Sequence, residues 1–116
     1  MSKNLHKVLW LLKSRTSVLE FKLQDFFLEV KNVDDNGFED VIGMLDELDP
    51  LEYSIESKDV VLIELPQKHA ILIMKWLIGN ATIQVYNRFR HPDDKWEDVD
   101  RNLPYWDTFG KYRTKQ

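Results

Sequence analysis

Apolar and polar positions follow two different periods along this chain, and the switches between them mark its elements. Leu5, Val8, Leu9 and Leu12 recur at helical spacing with Lys3, Lys7 and Lys13 among the polar positions, so residues 3–14 are predicted as an amphipathic helix. Leu19, Phe21 and Leu23 then alternate like a strand, while Leu23, Phe26, Phe27 and Val30 keep a helical period. This stretch reads as a short extended piece followed by a helix over 24–31. Asp34-Asp35-Asn36-Gly37 is a turn, because Asn and Gly tolerate positive φ and the aspartates can bond their own backbone. Phe38, Val41, Ile42, Leu45 and Leu48 form the stripe of the next helix, Glu39 and Asp40 suit the positive end of its dipole, and Pro50 stops it.

Period two returns at Leu51, Tyr53 and Ile55. Ser57-Lys58-Asp59 makes a turn and Val60 to Leu65 is a β-branched run, which together predict a hairpin. Pro66 opens a helix over 67–78 that is apolar around most of its circumference, hence expected to be buried, and Gly79-Asn80 closes it. TIQVYNRF, residues 82–89, reads as a strand. Beyond His91 periodicity stops, yet Trp96, Tyr105, Trp106, Phe109 and Tyr112 make the segment too aromatic for a disordered tail.

The fold class these elements predict is α+β. Their order over residues 3–65 (helix, short strand, helix, turn, helix, hairpin) resembles a winged helix-turn-helix, here extended by a buried helix, a further strand and an arm. The expected division is a winged-helix-like domain over 1–90 and an aromatic arm over 91–116, packed on the domain or on a partner. The resemblance is architectural and carries no function by itself.

A chain of 116 residues fits one domain, able to remove about two thirds of its unfolded surface from water. It has no cysteine, which excludes disulfides, thiolate zinc sites and cysteine nucleophiles, and suits a reducing, cytoplasmic setting. MSKNLHKVLWLLKSR lacks the cleavage site of a secretory signal, and the apolar stretch 60–79 is broken by Glu64, Pro66, Lys68, His69 and Lys75, so no membrane partner is expected.

Charge sharpens the picture. The net −4 divides into +4 over residues 1–23, −11 over 24–65 and +3 over 66–116. A field of one sign attracts the opposite sign, so the middle third favours a basic partner and repels nucleic acid. The helix that would read DNA in a winged helix offers Glu39, Asp40, Asp46 and Glu47, where base readout needs Arg, Lys, Asn or Gln. The acids Asp46, Glu47 and Asp49 also oppose that helix's dipole, which invites an explanation outside the helix. The candidate surface for a basic protein partner is therefore Asp34, Asp35, Glu39, Asp40, Asp46, Glu47, Asp49, Glu52 and Glu56. Trp96, Tyr105 and Trp106 join it, because such aromatics anchor interfaces, with a partner or with a second copy of the chain as a homodimer. Arg88, Arg90, Arg101, Lys111, Arg113 and Lys115 stand beside the same aromatics and suit nucleic acid, single strands by stacking included.

Motifs for catalysis are sparse. His91-Pro92-Asp93 resembles the tripeptide of J-domain co-chaperones, but there it follows a basic helix and here a strand, so it reads as a turn. Glu56-Ser57-Lys58 has the E-x-K form of small Mg²⁺-dependent nucleases, with its lysine in a turn and the companion Pro92-Asp93 after it. His6, His69 and His91 have neither helical spacing nor cysteines to complete a metal set, and no cofactor is expected. The expectation is a non-enzymatic binding protein whose acidic surface, as a DNA mimic, engages a basic protein as inhibitor or adaptor of a nucleic-acid-binding protein, in the manner of mobile-element proteins. A winged-helix DNA-binding regulator and a small nuclease are the alternatives.

Overall fold

In the computed structural model, residues 3–33, 38–47, 53–57, 59–87, 95–99 and 105–116 are described. Helix α1 (Lys3–Lys13) buries Leu5, Val8, Leu9, Leu11 and Leu12 and turns Lys7 and Trp10 outward, as its spacing requires. Ser14 ends it, its hydroxyl donating to the Leu11 carbonyl at 2.6 Å. Lys13 in the last turn complements the dipole.

The next segment departs from expectation. Residues 24–31 are not a helix: β1 (Leu19–Gln24) and β2 (Phe27–Asn32) form an antiparallel hairpin in which Leu23 faces Leu28 and Phe21 faces Val30. Asp25 makes the turn in the left-handed region (φ 55°), which a short polar side chain tolerates. Leu28 and Val30 are fully buried, whereas Phe27 and Glu29 alternate onto the other face. Phe27 therefore completed a helical spacing by accident, being an apolar residue on the half-exposed side of a strand.

Helix α2 (Phe38–Asp46) buries Val41 and Leu45. The hairpin of β3 (Tyr53–Ser57) and β4 (Val60–Glu64) follows as predicted, with a bulge between Ile55 and Ser57. These strands join the first hairpin in a sheet of order β1-β2-β4-β3, antiparallel throughout. Among the described residues two α-helices, not three, precede the β3–β4 hairpin, so the chain departs from the winged-helix order at β2.

A short 3₁₀ turn (Gln67–His69) leads into α3 (Ala70–Gly79), which buries Ala70, Ile73, Trp76 and Leu77. The expected burial is one-sided, because Ile71 and Ile78 stay exposed with Lys75 between them. One core joins α1, the inner face of the four-stranded sheet, α2, α3, Ile83 and Trp106. At about 1.5–3 kcal/mol for each large apolar side chain fully buried, it is the dominant stabilising term.

A second, three-stranded antiparallel sheet has the order β6-β5-β7, with β5 (Ile83–Tyr86) central, β6 (Trp96–Asp98) and β7 (Tyr112–Thr114). The aromatic segment beyond residue 91 thus supplies two strands flanking a strand of the preceding segment.

Candidate functional site

The end of α3 aims the chain into β5. Asn80 adopts the left-handed conformation (φ 53°, ψ 29°), and its N–H and that of Ala81 both close on the Lys75 carbonyl, which stops the helix in the way Asn permits.

β7 is held by the segment just before it. Trp106 is fully buried against Trp76 and Tyr112, with ring centroids 6.4 and 5.2 Å away. The Tyr112 hydroxyl donates to the Tyr105 carbonyl and accepts from the Asp107 N–H, both at 2.8 Å. His69 is also buried, its Nε2 2.8 Å from the Asp107 carbonyl. A carbonyl only accepts, so Nε2 carries the proton. Burial is the leading cause that holds the His69 pKa below its usual value, and burial likewise pushes the Tyr112 phenol up. Gly110 lies against the Tyr112 ring so closely that a Cβ there would meet Cε2 at 2.7 Å.

With β7 fixed, strand pairing gathers one set of side chains on the outer face of the small sheet. Gln84 stands opposite both Asp98 and Arg113, and Tyr86 opposite Trp96. Tyr86 meets Trp96 edge-on at 5.4 Å. The Arg113 guanidinium lies 4.2 Å from the Trp96 ring centroid, and the ammonium groups of Lys95 and Lys111 each lie 5.7 Å from that of Tyr86. The Gln84 amide links the strands, accepting from Arg113 Nε at 2.9 Å and donating to Asp98 Oδ1 at 3.0 Å. Lys115 Nζ is 3.0 Å from Asp98 Oδ2. Among the described residues, Lys95, Lys111, Arg113 and Lys115 against Asp98 make the face positive.

The aromatic and cationic candidates from the sequence divide here. Trp96, Lys111, Arg113 and Lys115 converge on this face. Tyr105 is half-exposed and meets the His6 ring at a tilt, with centroids 4.7 Å apart. Trp106 is withdrawn as a contact residue, since its ring lies wholly in the core. Arg88, Arg90, Arg101 and the tripeptide His91-Pro92-Asp93 lie outside the described residues. Sequence reading passed over Tyr86, Gln84 and Lys95. The signal for this face was the alternation Lys111-Tyr112-Arg113-Thr114-Lys115, in which a strand puts all three cations on one side.

The acidic candidates are less concentrated than the count over 24–65 implies. On the outer face of the large sheet Glu20 stands opposite Lys31, and Glu29 opposite Lys22, so there the field is mixed. Asp46, Glu47 and Glu56 are exposed, Glu56 accepting from Ser54 Oγ at 3.0 Å. Burial first, and the charge of Asp46 second, push the Tyr53 phenol up. Asp34, Asp35, Asp49, Glu52 and Lys58 lie outside the described residues, and α2 carries Glu39 and Asp40, whose side chains are not described.

Among the described residues no helix is long and apolar enough to cross a membrane. Comparison with protein families, with curated proteins and with solved structures found no match to this chain.

Proposed function

We propose that the protein binds single-stranded nucleic acid on the outer face of the β5–β6–β7 sheet. The observation that carries this reading is the union of Tyr86 and Trp96, in ring contact, with Arg113 4.2 Å from Trp96 and two lysines 5.7 Å from Tyr86. Bases of any identity have a π-face to stack on such rings or on an arginine plane, and the cations meet the phosphates. A net charge of −4 slows the approach of a polyanion but does not cancel the local positive field. A cytoplasmic setting goes with this reading, since a chain without cysteine loses nothing in a reducing compartment.

The test is fluorescence anisotropy of a labelled oligo-deoxythymidine at low salt, with wild type and Trp96→Ala. Stacking is worth about 1–3 kcal/mol per base, so the variant should bind roughly 5- to 150-fold more weakly. Absence of binding by the wild type, or equal binding by both proteins, rejects the reading. Competition by inorganic polyphosphate as strong as that by the oligonucleotide rejects it too, because polyphosphate has no bases.

A second reading keeps the expected basic protein partner, at the end of α2 and along β3. What favours it is the sequence between residues 38 and 65, where Lys58 is the sole base and Asp46, Glu47, Glu56 and Asp59 are exposed. Polylysine binding that weakens with salt and is lost in the double variant Asp46→Lys/Glu47→Lys supports it. Binding unchanged by that double reversal removes it.

A further inference from the structure

The stacking face does not end at Arg113. β7 is an edge strand, and alongside it runs a groove of about 640 Å³ whose lining includes Leu72 and Lys75 of α3 together with Gln84, Arg113, Thr114 and Lys115. Lys75, Arg113 and Lys115 are cationic, and among the described residues no Asp or Glu lines the groove, although Lys115 is paired with Asp98 beside it. Gln84, Arg113 and Lys115 belong to both the stacking face and the groove, so the two surfaces are continuous.

Two further observations point to an acceptor-rich occupant. The Thr114 hydroxyl is buried without a hydrogen-bond partner, which is costly unless something bonds it. The Tyr86 N–H bonds the Lys111 carbonyl and the Lys115 N–H bonds the Thr82 carbonyl, so by strand alternation the N–H groups of Tyr112 and Thr114 turn to the free edge. Cations and edge amides are donors only, and the hydroxyl can donate as well as accept. Phosphate is the acceptor that such a set fits, through charge-assisted hydrogen bonds.

We infer that this groove carries the phosphodiester backbone of a single strand as it leaves the stacking face, with Lys75 as a phosphate-binding residue. The inference rests on the nucleic-acid reading above and extends it to a longer footprint. Strands of a sheet are spaced about 4.8 Å apart, so Tyr86 and Trp96 alone accommodate only a dinucleotide, and the groove takes the nucleotides beyond.

The experiment compares oligo-deoxythymidine decamer and dinucleotide binding to the full chain with Lys75→Ala, Lys75→Glu and Tyr86→Ala, over a salt series. Lys75 is exposed on α3, so its variants should fold, and circular dichroism checks this. Removing one phosphate contact lowers the slope of log K against log salt by about 0.7 for single strands. Lys75→Ala is therefore expected to weaken the decamer by about two- to five-fold and reduce that slope while leaving the dinucleotide unchanged. Lys75→Glu should weaken the decamer more. Decamer affinity and slope equal to wild type in both Lys75 variants, with Tyr86→Ala impaired, overturn the groove and leave the stacking face standing. Failure of wild type to bind either oligonucleotide overturns both.

Discussion

Gly110→Ala tests whether the segment before β7 is docked as described. Gly110 has no positive φ, so it is needed for space and not for conformation. The added Cβ would lie 2.7 Å from Tyr112 Cε2 and 3.0 Å from both Cζ and Oη, well inside the 3.4 Å at which ordinary contact begins. The ring cannot simply swing away. Its hydroxyl is bonded at 2.8 Å to Asp107 N–H and to the Tyr105 carbonyl, and its faces and edges touch His69 and Trp106. Overpacking of this kind costs about 1–3 kcal/mol. At roughly 4 °C per kcal/mol for a chain of this size, Tm should fall by about 4–12 °C in a thermal melt followed by circular dichroism. Oligonucleotide affinity should fall with it, because Lys111 and Arg113 flank the displaced tyrosine. Gly43→Ala is the control: a Cβ there meets nothing within 4 Å, and in a helix interior the change should stabilise by about 0.5–1 kcal/mol. If Gly110→Ala melts at the wild-type temperature, Tyr112 is not packed as described and the cationic row is not presented by β7.

Other outcomes follow from the same contacts. The His69 pKa is depressed in the folded protein, so the stability secured by its neutral form is whole above the unfolded value of 6.5 and is lost as pH falls from there through the lower folded value. Thermal melts of wild type and His69→Gln from pH 7.5 to about 5 should diverge below pH 6.5, and parallel curves would exclude the effect. Lys13→Met keeps the aliphatic stem but loses the 2.8 Å bond from Nζ to the Trp76 carbonyl and the ammonium 4.2 Å from its ring, a loss of about 1–2 kcal/mol by urea unfolding. A variant as stable as wild type removes this link between α1 and α3. Arg113→Lys keeps the charge but not the plane stacked on Trp96, so it should weaken oligonucleotide binding without altering the salt slope. A changed slope with unchanged affinity contradicts the role given to the guanidinium.

Much of the fold was legible because burial imposes a period. The stripe Leu5, Val8, Leu9, Leu12 and the run holding Val61 and Ile63 are visible in the sequence because each has one buried face, whereas in β3 only Tyr53 is buried and Ile55 is exposed. Residues 24–31 misled because Phe27, apolar and on the outer face of β2, mimicked a helical repeat, and because the turn at Asp25 has no glycine to announce it. The candidate face was half legible. Its aromatics and cations were noticed as composition, but which of them meet depends on pairing across long sequence separations, such as Gln84 with Arg113. Trp106 shows the limit from the other side: sequence gives its type, and only packing decides that it faces the core instead of a partner.

The separate small sheet has a consequence for dynamics. Its strands are only three or four residues long, whereas most of the core lies under the four-stranded sheet, so backbone amides of β5 and β7 should exchange with solvent through a local opening well below the energy of global unfolding. An oligonucleotide gripping β5, β6 and β7 together would close that opening, and part of its intrinsic affinity would be consumed in holding the three strands in register.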